Sequence, residues 1–149
     1  MSRLHDTRHA IAARLNSAID DLQFSPYFLA DPTPPAGHVF PTPVDYDETF
    51  QRGVDGWTLT VQIFVSEGSG DEAAQENLDE FLEPYGPRSV KEILEEPDSP
   101  DGSVTLGGII DDLRVARSEG YRSYRREGRP ALLGTEWIVE VAIPGKEEA

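Results

Sequence analysis

The sequence predicts an α+β fold, in which helices pack on one face of a mixed, mainly antiparallel β-sheet as a two-layer sandwich. Three observations lead to this prediction: a helical pattern opens the chain, a long alternating strand lies in its middle, and two strand-like segments follow two further helical patterns. A chain of 149 residues suits one hydrophobic core, so we expect a single domain over residues 1–149.

The first element is predicted to be a helix over residues 3–21. Its apolar residues, from Leu4 through Ile11 and Leu15 to Leu22, recur at helical steps of four and seven and therefore share one face. Pro26 follows shortly after this pattern and limits how far the helix can extend.

A proline-rich region comes next. Six of the 12 prolines in the chain fall between Pro26 and Pro43. Because proline lacks a backbone N–H, this region can hold only short or edge strands, for which residues 27–29 and 38–40 are the candidates. We expect a Pro-rich arm or loop at about residues 30–53.

The clearest strand is predicted over residues 57–65. Its odd-numbered residues are all apolar, whereas its even-numbered residues are polar except for Phe64. One face of the strand therefore belongs to the core, and Phe64 indicates that the other face is also partly covered.

Two helices are predicted after this strand. In the first, the apolar residues share one face, Asp71 and Glu72 suit the first turn, and Pro84 ends the pattern. The opposite face of that helix is nearly all acidic. The second helix is short, and Ser89 with Glu92 matches a capping box at its start.

Two strand-like segments, residues 109–116 and 137–143, close the chain. Apolar residues alternate with polar ones in the second segment, and a Pro-Asp-Gly turn precedes the first. We therefore expect a closing antiparallel pair. Residues 145–149 are polar, and a frayed C-terminus is expected there.

The charge of the chain is high and unevenly distributed. With 28 acidic and 13 basic residues the net charge is −15, which disfavours general binding to nucleic acid or to an anionic membrane. Residues 66–101 hold twelve acids against Arg88 and Lys91, whereas residues 114–129 hold six arginines against two glutamates. Patches of opposite sign can meet between copies of the chain.

Composition also limits the compartment and the chemistry. Without cysteine, the chain cannot form a disulfide, a thiolate zinc site or a cysteine nucleophile. The N-terminal region carries charged residues every few positions and lacks the apolar stretch of a signal peptide or membrane span. We therefore expect a protein that stays in the cytosol and has no membrane partner.

Histidines and carboxylates form only weak metal-binding patterns. His5 and His9 lie four residues apart on the predicted helix, where two imidazoles can reach one ion, but a third ligand is missing nearby. The acids at positions 45, 47 and 48 lack the glycine and final glutamate of a calcium loop. A solvated helix face and ordinary turn acids are favoured, so no metal and no cofactor are predicted.

Catalytic patterns are equally weak. Glu136 and Glu140, together with Asp111 or Asp112, would be the carboxylates of a metal-dependent nuclease, but alternating glutamates are more typical of a solvated strand face. No Gly-x-Ser-x-Gly motif is present. We therefore predict that the protein is not an enzyme and has no catalytic residues.

The segment from Tyr121 to Arg126 interleaves tyrosines with arginines, and Arg129 follows it. Such a segment can stack bases and neutralise phosphates, so a nucleic-acid-binding accessory protein is one alternative. Tyrosine and arginine are also enriched at protein interfaces, and the acidic remainder of the chain favours an interface.

Several stretches share their pattern and order with a known family. They are Pro-Thr-Pro-Val-Asp-Tyr-Asp-Glu-Thr-Phe-Gln-Arg-Gly at residues 41–53, the strand at 57–65, the helical segments at 74–84 and 89–94, Gly120-Tyr121, and Leu-Gly-Thr-Glu-Trp at 133–137 with the final strand. Together they resemble the tail terminator and related minor tail proteins of long-tailed bacteriophages that infect actinobacteria.

This resemblance implies a structural virion protein of the tail or neck, made in the host cytoplasm. It implies a ring, expected to be hexameric, that sits on the last ring of the tail tube, stops tube growth and joins the tail to the head connector. The implied partners are other copies of the chain, the tail tube protein and the head-tail connector proteins, with DNA at most passing through the lumen. Another neck or head-to-tail joining protein is the neighbouring alternative.

A ring requires two different surfaces on each subunit. The acidic helix face and the arginine segment are predicted to be such a pair, in which complementary charge sets register and encounter rate more than affinity. The predicted interface residues are Glu72, Glu76, Asp79, Glu80, Glu83, Arg122, Tyr124, Arg125, Arg126 and Arg129.

Overall fold

The protein contains a five-stranded sheet and, within the described residues, three helices. The structure, a computed structural model, describes residues 2–30, 32–42, 55–66 and 71–143. In chain order the elements are α1 (Arg3–Ala18), β1 (Gln23–Ser25), β2 (Ala36–Pro41), β3 (Asp55–Ser66), α2 (Asp71–Leu82), α3 (Val90–Leu94), β4 (Asp112–Arg126) and β5 (Arg129–Ile143). The predicted α+β class is confirmed.

The sheet is mixed and mainly antiparallel, as predicted, with the strand order β1-β2-β3-β5-β4. β1 pairs with β2 in parallel, and the other neighbouring pairs are antiparallel. β4 is an edge strand of 15 residues whose pairing with β5 contains three register shifts. Bulges and charged side chains both discourage a further strand from pairing with an exposed edge.

Several element boundaries differ from the prediction. α1 ends at Ala18 instead of residue 21, because Ile19 has an extended backbone and a turn follows it. The strand predicted at residues 27–29 is wrong, and a strand lies at residues 23–25 instead. There the side chain of Asn16 accepts a hydrogen bond from the N–H of Phe24 and donates one to its carbonyl. A side chain from α1 thus helps to hold a strand too short to show an alternating pattern.

The closing strands are paired as predicted but are longer than predicted. They run over residues 112–126 and 129–143, instead of 109–116 and 137–143, and form one hairpin. A two-residue turn joins them, and Gly128 adopts a φ of +74° there. The predicted pattern missed the distal half of β4 because most of its residues are exposed and polar, so no apolar alternation marks it.

One face of β3 belongs to the core, as its alternation predicts. Leu59, Val61 and Ile63 are fully buried and share one cluster with Leu78 and Phe81 of α2. The helices reach different parts of the sheet: α1 contacts β1 and β2, α2 contacts β3 and β5, and α3 contacts β4. The packing of all helices on one face stays a prediction.

The opposite face of β3, which we call the second face, is covered around Phe64, as the sequence indicated. Phe64 is only 6% exposed, and the rings of His38 and Tyr124 lie 5.7 and 5.2 Å from it. Gly134 is the register partner of Phe64 on β5. A Cβ atom at position 134 would lie 2.7 Å from the Phe64 ring, so this contact requires glycine.

Ser89 begins α3, but the predicted capping box forms only in part. The Ser89 hydroxyl accepts a hydrogen bond from the N–H of Glu92 and donates one to the carbonyl of Glu83. The Glu92 carboxylate accepts from the N–H of Gly86 instead of that of Ser89. Ser89 therefore links the start of α3 to the end of α2.

Replacing Ser89 with alanine should lower the free energy of unfolding by about 1–2 kcal/mol, because a buried cap and a second hydrogen bond are lost together. Urea denaturation of the variant, followed by circular dichroism, measures the loss. Ser17→Ala at the exposed end of α1 is the matched control and should change stability by less than about 0.5 kcal/mol. Equal effects of the two substitutions would contradict the capping role.

Parts of three predictions lie outside the described residues: the Pro-rich arm at positions 31 and 43–53, the acids at 45, 47 and 48, and the C-terminus at 145–149. Among the described helices, none has the length and apolarity that crossing a membrane requires.

Candidate subunit interface

Four acids of α2, together with Glu83 just after the helix, form one exposed surface, which we call the acidic face. Their exposure follows from the helix period, since Ala74, Leu78 and Phe81 face the core on the other side. The acidic face consists of Glu72, Glu76, Asp79, Glu80 and Glu83, all exposed.

Two acids of this face have partners within the chain. Glu80 forms an ion pair with Arg88 at 2.9 Å, and Asp79 accepts a hydrogen bond from the Tyr121 hydroxyl at 3.0 Å. Partial burial and the Asp79 carboxylate raise the pKa of Tyr121. In the described part of the chain, the remaining acids Glu72, Glu76 and Glu83 make no ion pair, so their charge is available to a partner.

The distal half of the β4–β5 hairpin carries the second predicted surface, which we call the basic hairpin: Arg122, Tyr124, Arg125, Arg126 and Arg129. Arg122 lies over the ring of Tyr124, with its guanidinium carbon 4.8 Å from the ring centroid. Arg126 donates to the carbonyls of Pro32 and Pro130, which ties this part of the hairpin to the proline-rich region. Arg125 is exposed.

The Tyr124 side chain is held by contacts within the chain, so its ring is not free to stack on a base. Its hydroxyl donates to the carbonyl of Gly120 at 3.0 Å, and its ring packs at right angles against Phe64. Burial raises the pKa of this tyrosine, and the charge of Glu136 adds to the effect. The Tyr124 ring therefore packs against Phe64 and Arg122, and less of its own surface is left for a partner.

The acidic face and Arg122 lie on opposite sides of the sheet. Arg122 and Phe64 are both register partners of Gly134, which places them on the second face. The acidic face belongs to α2, whose apolar residues pack in the core beneath the other face. The β4–β5 register shifts between Glu119 and Arg122. After this shift the Tyr121 side chain lies on the side of α2, where its hydroxyl donates to Asp79, and Arg122 lies on the second face.

This arrangement bears on the nucleic-acid alternative. Base stacking needs exposed aromatic rings beside cations, but the ring of Tyr124 packs between Phe64 and Arg122. The Tyr121 hydroxyl points at the carboxylate of Asp79, and a phosphate near it would be repelled. Nucleic-acid binding stays a prediction, and these contacts disfavour it.

Two of the carboxylates considered for a nuclease, those of Glu140 and Asp112, have separate partners. Glu140 forms an ion pair with Arg114, and the Asp112 carboxylate accepts from the N–H of Val104 at 3.0 Å. Over residues 2–30, 32–42, 55–66 and 71–143, no group of three or more histidine, aspartate or glutamate side chains is placed to hold a metal ion. His5 and His9 instead pack against the ring of Tyr27.

Exposed aromatic residues are the feature that the sequence analysis missed. Tyr85 is 79% exposed, between Pro84 and Pro87, and Phe28 is 61% exposed. A Pro-Tyr-Gly-Pro sequence signals a stiff loop, but exposure of its tyrosine cannot be read from periodicity because the loop has none. Rigid exposed aromatics are typical anchors of protein interfaces.

The sequence was compared with models of protein families and with curated proteins. No protein family model matches the chain, and no curated protein matches its sequence.

Proposed function

We propose that the protein is a structural subunit of a phage tail, a tail terminator that assembles with copies of itself into a ring, expected to be hexameric. The observation that carries this proposal is the presence of opposite charge on opposite sides of the sheet. The acidic face lies on α2, and Arg122 of the basic hairpin lies on the second face. The sequence resemblance to tail terminator proteins supports the same role.

Opposite charge on opposite sides favours a head-to-tail contact. In such a heterologous interface one surface of a subunit meets a different surface of the next, and the subunits close into a ring if the rotation adds up. A two-fold contact made through one of these surfaces alone would instead bring that surface against its own copy, acid against acid or arginine against arginine. The charge distribution therefore supports a ring over a two-fold dimer.

The contact is expected to form through side chains. β4 is the long exposed edge of the sheet, but its three register shifts interrupt the regular ladder that an added strand would need. Arg122 and Arg125 can instead reach Glu72, Glu76 and Glu83 of a neighbour.

Charge alone would not hold a ring together. An exposed ion pair contributes about 0–1 kcal/mol, and complementary charge acts mainly on register and encounter rate. Affinity would come from buried apolar anchors. Tyr85 and Phe28 are exposed aromatic residues that could serve as such anchors.

The proposed ring would cap the tail tube, stop its growth and meet the head connector. Its partners would be the tube protein on one side and the connector proteins on the other, in the tail or neck of the virion. A neighbouring head-to-tail joining protein would share the self-assembly but would not bind a bare tube end.

Light scattering and negative-stain electron microscopy test the proposal, on the purified protein alone and mixed with tail tubes. Rings of about six times the 16.5 kDa chain mass, or a cap at one tube end, are the expected result. A protein that stays monomeric and leaves both tube ends bare would overturn the proposal. Rings that form but do not bind tube ends would favour the head-to-tail joining protein.

A further inference from the structure

Residues 26–30 form a short connection after β1 that all three histidines of the chain contact. We call this connection the strap. It carries the exposed aromatic residues Tyr27 and Phe28, followed by Leu29. Tyr27 packs against α1, whereas Phe28 stacks on a residue of β2. The strap therefore links the helix layer to the second face of the sheet.

His38 of β2 holds the strap through one hydrogen bond and one ring contact. Its Nδ1 atom accepts from the backbone N–H of Leu29 at 2.8 Å, and its ring stacks on Phe28 at 4.9 Å. Because Nδ1 accepts, it carries no proton, and Nε2 is the protonated nitrogen that donates to the Gln62 side-chain oxygen at 2.7 Å. His38 is 1% exposed, so these bonds fix a neutral imidazole.

His5 and His9 hold the other side of the strap. Their rings lie 4.4 Å apart on α1, and Tyr27 packs against both, with its hydroxyl 3.2 Å from Nε2 of His9. Arg8, between them in sequence, donates to the carbonyl of Pro26 at 2.8 Å.

We propose that the strap is pH-sensitive: it is docked while His38 is neutral and is released from the second face when His38 takes up a proton. A proton on Nδ1 places two donors against each other, since the Leu29 N–H then faces an N–H instead of a lone pair. The hydrogen bond to the strap is lost, and the charged ring is left among Phe28, Phe40 and Phe64.

The surroundings set the direction of the pH dependence. Burial lowers the pKa of His38 below its ordinary value of 6.5, the hydrogen bond to Gln62 partly offsets this, and the charge of Arg8 on α1 lowers it further. The titratable residues beyond Gln62 are Tyr124 of β4 and Glu136 of β5, which is the register partner of Gln62. Because the folded-state pKa is lowered, the docking contribution is complete above about 6.5 and is lost as the pH falls through the folded-state value.

Nitrogen-15 NMR on the full chain tests the proposal between about pH 8 and pH 5. The His38 ring nitrogens report its protonation, and amide exchange, corrected for the intrinsic rate, reports docking at Leu29. As His38 becomes protonated, protection of the Leu29 amide should fall by about tenfold, the equivalent of one lost hydrogen bond. Protection of Val61 in the core of β3 should not change.

Two variants separate His38 from the other histidines. In His38→Gln the amide cannot titrate in this range, so Leu29 protection should no longer depend on pH. His9→Gln is the matched control, which loses one histidine of the strap but should keep the step at Leu29.

Three results would overturn the proposal. Two of them concern the wild-type protein. The first is protonation of His38 with unchanged protection of the Leu29 amide, and the second is a His38 that stays neutral until the whole chain unfolds. The third is an unaltered step in His38→Gln. The first two need no variant, so the test remains decisive if His38→Gln fails to fold.

Discussion

Reversing two charges on the basic hairpin, Arg122→Glu with Arg125→Glu, should convert the proposed ring into monomers. In the proposed ring, each basic hairpin would face the acidic face of a neighbour. The substitutions place glutamate opposite Glu72 and Glu76, and juxtaposed like charges cost several kcal/mol per contact. Every contact of the ring is affected at once, so the mass measured by light scattering should fall to that of one chain.

A second reversal sharpens this experiment. Glu72→Lys with Glu76→Lys puts two positive charges on the helix face and should also give monomers. Mixing the two variants should restore rings, because the acidic face of the first variant meets the native arginines of the second, and the new lysines meet the new glutamates. Subunits of the two kinds must alternate, so restored rings would contain an even number of subunits, as a hexamer does.

Arg3→Glu with Lys91→Glu is the control, since it changes the net charge by the same amount at two sites outside both surfaces. It should leave the rings intact. Rings that persist in the Arg122 and Arg125 variant, or that are lost equally in the control, would show that the two surfaces do not meet. Failure of the mixture to reassemble would point to a different partner surface.

Replacing Phe81 with alanine should cause the largest loss of stability. Phe81 is fully buried in the last turn of α2, and the guanidinium of Arg88 lies 4.6 Å from its ring centroid. Removing a buried phenylalanine costs about 3–5 kcal/mol through lost burial and the cavity left behind. The cation–π contact accounts for about 0.5–1 kcal/mol more at a partly exposed site.

Urea denaturation measures this loss as a lower transition midpoint at an unchanged slope. Phe28→Ala is the matched control, because that phenylalanine is 61% exposed and its removal should cost less than about 1 kcal/mol. Arg88→Ala removes the ring contact together with the ion pairs to Asp21 and Glu80, so its effect sets an upper limit on the ring contact. A loss below about 1 kcal/mol in Phe81→Ala would mean that α2 contributes little to the core.

Local signals predicted much of the fold. The alternation of residues 57–65 identified β3, and the single break at Phe64 indicated the covered second face. The apolar stripe and the following proline identified α2, and the Ser89 cap identified the start of α3. In each case the physical cause, a backbone period or a cap hydrogen bond, involves residues within a few positions of one another.

The candidate site was predicted less completely. The opposite charges of the acidic face and the basic hairpin can be counted in the sequence, but the placement of the acidic face and Arg122 on opposite sides of the sheet cannot. That placement depends on the register between β4 and β5, where one shift turns Tyr121 toward Asp79 and Arg122 toward the second face. A slip of one residue in a strand exchanges its two faces.

The order of residues was enough to predict the α+β class, the central strand and its core face, the two helices that follow, and the separation of charge along the chain. The position of β1, which Asn16 of α1 holds, and the contacts of the three histidines with residues 26–30 became known only from the folded chain. The reason is physical: periodicity records which side of an element is apolar, whereas strand register, bulges and docked loops depend on contacts between residues far apart in the chain.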